Sequence, residues 1–193
     1  MFMTLLFHTR ENITAHPFEM PYIKRIIKRI ERSMHQQTKG DFWIIDPFAN
    51  NSWVTQLPNV ITNDLNPKFD TSFNMEFNDF GELMEAKGNQ AQLILFDPPY
   101  SLTQLKMQYD GIGKDLPQWQ TQNPWKRGKD ALSRCQGAGG IIISLGWTTS
   151  GFGAHRGYEK REIHVIEGLA REDQHSMFVV IEEKTQTSIL DYA

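Results

Sequence analysis

Three short apolar runs in this chain stop on an aspartate: "DFWIIDPF" at Asp46, "NVITNDLNP" at Asp64 and "AQLILFDPPY" at Asp97. Apolar runs of this length, bounded by Pro, Asn and Asp, have the dimensions and flanks of buried strands. A fourth run, "GGIIISLGW" at 139–147, is the most β-branched in the chain. Helix-sized segments lie between them. One, "TSFNMEFNDFGELMEA", reads as an extended piece at 73–75 that enters a helix over about 78–86, with Gly88 as its stop. This alternation predicts an α/β fold with a mostly parallel sheet covered on both faces. Ligands of such sheets gather beyond the carboxyl ends of the strands. Three acids at three neighbouring strand ends therefore point to one crevice. A strand-end Asp can also cap a helix, but Asp97 is followed by two prolines and cannot do so in the usual way.

The remaining segments complete the fold. "PFEMPYIKRIIKRIERSM" sets Ile23, Ile26, Ile27 and Ile30 at helical spacing, with Lys24, Arg25, Lys28, Arg29 and Arg32 largely on other faces. It predicts an amphipathic helix whose basic side is either solvated or turned to phosphates. "REIHVIEGLAREDQHSMFVVIEEK" predicts two strands, 161–167 and 176–183, joined by about eight polar residues, too few for a helical crossover. That pair is expected to be antiparallel.

A chain of 193 residues suits a single domain. Residues 1–38 are its N-terminal segment and basic helix, and 101–136 are its one generous insertion. The formal charge of −3 gives no global cationic field, so any contact with nucleic acid must use local patches. The lone Cys135 excludes an internal disulfide and a multi-cysteine zinc site, and no metal is expected. No apolar run reaches the roughly 18 residues of a membrane span, and "MFMTLLFHTR" is too short for a secretory signal. The expectation is a cytoplasmic protein that does not engage a membrane.

The tetrapeptide Asp97-Pro98-Pro99-Tyr100 after an apolar strand resembles the catalytic motif of S-adenosylmethionine-dependent amino-group DNA methyltransferases, which modify adenine N6 or cytosine N4. The order of the other motifs is similar to that family's over roughly residues 40–185. The resemblance implies a Rossmann-like class I methyltransferase fold with a C-terminal antiparallel strand pair, and S-adenosylmethionine as cofactor. It implies that Asp46, Phe48, Ala49 and Asn50 wrap the cofactor's amino-acid part, that Asp64 with Leu65 holds the ribose hydroxyls, and that Glu76 and Phe77 meet the adenine. An acid beside a core phenylalanine is also common in unrelated proteins. The stretch from His16 to Tyr22 occupies the place of the motif that closes over the methionine end. "SLGWTTSGFGAHRGYE" resembles the segment after the fifth strand in phage and bacterial adenine methyltransferase-like proteins.

The chemistry supplies its own reason for these residues. An exocyclic amine conjugated to a base ring has a delocalised lone pair and needs hydrogen-bond acceptors to become nucleophilic. The Asp97 carboxylate can accept one N–H and the Pro98 carbonyl the other, with Pro99 stiffening the turn. Tyr100 can stack on a base that has left its helix. The same class of motif serves enzymes that methylate RNA bases or protein amides. It also leaves open a methyltransferase fold that binds without turnover.

Two departures from the family stand out. The first loop, "DPFANNS", has no glycine, so Asn must take any left-handed position there. No segment is long enough for a separate target-recognition domain, which makes a partner subunit an expectation. DNA is the expected partner. In the insertion, Lys126 and Arg127 with nearby Tyr109, Trp119 and Trp125 form a mixture suited to phosphate contact and base stacking, or to a solvated lid packed on the core. Trp147 and Phe152 are expected either to wall a base pocket or to pack in the core.

Overall fold

The computed structural model describes residues 4–37, 42–169 and 175–185. Seven strands, β1 (Leu5–Glu11), β2 (Ile44–Asp46), β3 (Val60–Thr62), β4 (Leu93–Phe96), β5 (Ile141–Gly146), β6 (Tyr158–Gly168) and β7 (Met177–Lys184), form one sheet in the order β1-β6-β7-β5-β4-β2-β3. Strands β2 to β5 pair in parallel, and β7 runs antiparallel between β5 and β6. The expected C-terminal pair is thus present; residues 170–174 of its connection lie outside the described residues.

Alternation along the strands feeds two cores. Ile44, Leu93 and Leu95 point to one face, where helix α1 (Pro21–Gln37) lays down Ile23, Ile26, Ile27 and Ile30. Ile45, Ile94 and Phe96 point to the other, against α2 (Phe77–Ala86) and α4 (Lys126–Arg134). A parallel sheet buried on both faces needs apolar residues at consecutive positions, and the "LILF" of β4 is buried throughout. Helices α2 and α4 touch backbone to backbone. A Cβ on Gly81 would lie 2.9 Å from the Gly128 Cα, and one on Gly128 would lie 2.3 Å from the Phe77 ring. The two glycines set the depth to which Phe77 sinks. Gly88 ends α2 at φ 66°, as its sequence position predicts.

Two elements differ from the sequence reading. The opening segment, to which the sequence reading assigned no element before the basic helix, contains β1, which pairs in parallel with β6 from Leu5↔Glu162 to Glu11↔Gly168. Its register is held by the backbone ladder at a sheet edge, and Leu5 and Leu6 stay 45% and 60% exposed, so no inward-outward alternation marks it in the sequence. The extended piece at 73–75 makes a single parallel bridge, Asn63↔Phe73. The Asn63 side chain accepts the Met75 N–H and donates to the Pro47 carbonyl, which ties this segment to the loop after β2 in place of a longer ladder.

The insertion is ordered. It begins with α3 (Leu102–Gly111), continues through a short 3-10 turn at Gln118–Thr121 and ends in α4, the helix expected at its tail.

Candidate active site

From β2 the chain passes to β3 on one side and then returns to β4 on the other side of β2. This reversal opens a crevice beyond the carboxyl ends of β2 and β4, the position where open α/β sheets bind ligands. A cavity of about 340 Å³ occupies it, within the roughly 300–1,000 Å³ usual for small-molecule sites. Phe48, Asn50, Asp64, Leu65, Glu76 and Phe77 line it together with Asp97, Pro98, Pro99 and Tyr100. Ten of the residues singled out in the sequence therefore share one cavity.

Asp46, the last residue of β2, lies beneath the crevice, wholly buried. Its Oδ1 accepts the Phe48 N–H at 3.1 Å, and its Oδ2 has no hydrogen-bond partner. Burial raises its carboxyl well above the usual range, the Phe48 amide opposes this, and the charges of Asp97 and Asp64 add to it. The glycine-free loop closes through backbone bonds. Ala49, fully buried, donates its N–H to the Asn63 carbonyl, and Asn50 takes φ 39°, the left-handed conformation that a glycine would otherwise supply. Asn50 donates its N–H to Asp64 Oδ2 at 3.0 Å, and Asn66 donates to Oδ1 at 2.8 Å. Burial still raises the Asp64 carboxyl, against those two amides.

The opposite end of the crevice is aromatic. Phe48 stacks on Phe77 at 5.0 Å and meets Phe96 and Trp125 edge-on. Glu76 caps α2 by accepting the Asn78 N–H at 2.7 Å while it also lines the cavity. Its other oxygen accepts from Gln120 Nε2 at 2.7 Å.

The motif that opens onto the crevice is held by the helix that follows it. Ser101 is the cap of α3, accepting the Gln104 N–H, and Gln104 returns a bond by accepting the Tyr100 N–H at 2.6 Å. This is a variant of the reciprocal Ser-x-x-Gln box. The Tyr100 hydroxyl donates to Asp97 Oδ1 at 2.6 Å and lies 3.6 Å from the Met177 sulfur. Burial pushes the Asp97 carboxyl up to about 7, against that hydrogen bond. The carboxylate is therefore poised near neutrality beside a phenol that it holds.

Four expected substrate contacts lie elsewhere. Trp147 is 38% exposed and packs edge-on against Tyr100 at 5.8 Å, outside the cavity lining. Phe152 is 1% exposed in the second core, edge-on to Phe96 at 5.2 Å, the core placement that was one of its two expected positions. Lys126 is exposed in the first turn of α4. Arg127 pairs with Asp79 and Glu82 of α2, both at 3.0 Å. Lys106 pairs with Asp110 within α3. Much of the insertion's charge is thus engaged with neighbouring acids.

Sequence reasoning missed Thr14, Ala15, Gln104, Gln108 and Gln120, which complete the cavity wall with His16, Pro17, Tyr109 and Trp125. The Ser101 to Gln104 spacing could have revealed Gln104. Nothing local distinguishes Gln120. Among the described residues no cluster of His, Cys, Asp or Glu could hold a metal ion, and no helix is long and apolar enough to cross a membrane.

No protein-family model matches the chain, and no curated protein matches it in sequence. Solved structures do match in fold. The SAM-dependent methyltransferase of Agrobacterium tumefaciens aligns with TM-score 0.51 and 12% identity over 85% of this chain and 63% of its own. TrmN of Thermus thermophilus aligns with TM-score 0.50 and 16% identity over 86% of this chain and 49% of its own. The N-methyltransferase NodS of Bradyrhizobium japonicum WM9 aligns with TM-score 0.50 and 9% identity over 88% of this chain and 99% of its own. The chain spans less than two thirds of the length of the first two. It has the α/β fold of methyltransferases.

Proposed function

We propose that this chain binds S-adenosylmethionine in the crevice and directs its methyl group to a planar exocyclic amine, with adenine N6 in DNA as the leading acceptor. One observation carries the reading. Asp97 and Pro98, a carboxylate and a carbonyl fixed by a proline pair, stand at the end of β4 in the same cavity as the strand-end Asp64.

The residues present fit the cofactor. A buried carboxylate oxygen without a partner, Asp46 Oδ2, sits within the electrostatic reach of Asp97 and Asp64. Three crowded carboxylates favour a cationic ligand over a neutral one. Asp46, Phe48, Ala49 and Asn50 would surround the amino-acid end, Asp64 and Leu65 the ribose, and Glu76 and Phe77 the adenine. The bound cofactor supplies a methyl group made electrophilic by a sulfonium.

The protein's own part is to present and hold the amine. Asp97 accepts one N–H of the acceptor and the Pro98 carbonyl the other, which drives the nitrogen toward tetrahedral geometry. The incoming amine takes the place at Oδ1 that the Tyr100 hydroxyl fills, and the freed ring offers a face for the base. A carboxyl that titrates near 7 can also take the proton shed by the amine. Catalysis of this kind rests on alignment and electrostatics.

The polynucleotide reading draws on α1, whose Arg25, Lys28 and Arg32 are exposed and whose preceding turn, at Pro17, lines the crevice. A second reading is methylation of RNA or of a protein amide, and the neutralised cations of the insertion favour the protein acceptor over either nucleic acid. NodS, an N-methyltransferase by name, shares the fold. The test is transfer of label from methyl-labelled cofactor to unmethylated DNA, RNA and protein pools, comparing wild type with Asp97→Asn. Label in DNA that the variant loses is the expected outcome. Label in another pool alone replaces DNA, and equal labelling by both proteins removes Asp97 from the mechanism.

A further inference from the structure

Gln120 is wholly buried, yet it forms part of the wall of the crevice. It comes from the 3-10 turn in the middle of the insertion, a segment held against α2 by the bond from Asn78 Nδ2 to the Pro124 carbonyl at 2.8 Å. Its Nε2 donates to Glu76 Oε1 at 2.7 Å. Its own Oε1, buried, has no partner. The amide orientation is dictated by its neighbours. Turning it over would set Oε1 against the Glu76 carboxylate and leave two acceptors facing each other with no hydrogen between them.

A buried carbonyl without a donor costs stability, roughly 1–3 kcal/mol, and calls for an explanation when it borders a cavity. Beside it lies Glu76, a second acceptor, and around the pair stand the rings of Phe77, Phe48 and Trp125. Two adjacent acceptors at an aromatic slot match one ligand group in particular: a primary amine on a flat ring, which offers two N–H donors in the ring plane. A 6-oxo ring presents an acceptor in that place and meets two acceptors.

We infer that Gln120 is a specificity-determining residue, which with Glu76 forms a two-acceptor clamp for the 6-amino group of the cofactor's purine. This inference rests on the cofactor reading above. It gives the insertion a role in choosing the cofactor as well as in walling the crevice. The bond to Glu76 fixes the Gln120 amide in place, and the Asn78 bond to Pro124 fixes the turn that carries it.

Calorimetry on the full chain with S-adenosylhomocysteine and with its deaminated 6-oxo analogue, S-inosylhomocysteine, tests the clamp. Wild type is expected to prefer the amino ligand by about 100-fold, the cost of leaving buried acceptors unpaired. Gln120→Leu is expected to weaken the amino ligand by about tenfold, the effect of one lost buried hydrogen bond, and to bind the 6-oxo analogue no more weakly than wild type, since one of the two acceptors facing it is gone. Should Gln120→Leu fail to fold, Gln120→Met, which keeps the side-chain length, is read the same way. A parallel loss for both ligands makes Gln120 merely structural and overturns the inference, as does an unchanged preference. Absence of any binding by folded wild type overturns the cofactor reading itself, a separate result.

Discussion

The acid-tipped strands and the insertion at 101–136 border the same crevice, but they reach it by different routes. The acids of β2 and β4, with Asp64 just past β3, are there because of topology: a parallel sheet that reverses direction at β2 brings those ends together whatever the side chains are. The insertion reaches it by packing. Asn78 of α2 accepts the Gly128 N–H at 2.8 Å and donates to Pro124, while Arg127 and Arg134 pair with Asp79, Glu82 and Glu85. The strand-end carboxylates are held by local amides and the Tyr100 hydroxyl and, among the described residues, pair with no cation, so their charge is left for a ligand. A charge in a packed insertion is spent on the neighbouring helix.

Variants can break this contrast. The largest effect is expected at Asp97. Asp97→Asn is expected to lower methyl transfer by about 10²–10³, the cost of removing one preorganised electrostatic contact, in single-turnover labelling. It should also make the protein more stable at pH 8. The folded chain keeps the Asp97 proton up to about pH 7, whereas an ordinary aspartate loses it near 3.8. The native state therefore binds the extra proton between those values, and stability falls as pH rises through that window, by up to about 1.4 kcal/mol per unit. Transfer should rise over the upper part of the same range, and the variant should lose both dependences. A variant no more stable than wild type at pH 8 would mean that the carboxylate is better solvated than its burial implies.

Gly128→Ala comes next. Its Cβ would collide with the Phe77 ring, so a loss of about 1–3 kcal/mol is expected in urea unfolding, together with weaker cofactor binding as Phe77 is displaced from Phe48. Asn78→Ala removes two bonds between α2 and the insertion, and about 1–2 kcal/mol should go with them. Arg127→Ala is the smallest. Exposed pairs contribute roughly 0–1 kcal/mol, and affinity for nucleic acid should change less than about twofold, against the steep loss that a true phosphate contact gives. A large loss of DNA binding in this variant would restore the insertion's expected cationic role.

The contrast also explains what was legible. Strand-end acids, the helix of α2 and the antiparallel β6 and β7 follow from period, length and flanking prolines, and the positions of Asp46, Asp64, Asp97 and Tyr100 follow with them. The loop after β2 was readable too, since only Asn50 or Asn51 could take the left-handed turn that glycine usually fills, and Asn50 does. Gln120 was not legible, because its partner Glu76 lies 44 residues away and no local pattern links them. Lys126, Arg127 and Phe152 were assigned by composition, and composition does not say which acid or ring stands opposite. β1 escaped because an edge strand is specified by its neighbour's backbone, with little help from its own side chains.

That edge strand has a consequence for the order of assembly. Thr4 reaches the Lys160 carbonyl across 156 residues of sequence, and β1 pairs only with β6. The crevice wall at Thr14 to Pro17 hangs between β1 and α1. On a ribosome adding roughly 5–20 residues per second, β1 must wait on the order of ten seconds or more until its partner emerges. The central strands can pair meanwhile, so the earliest-made wall of the crevice is the last to be anchored.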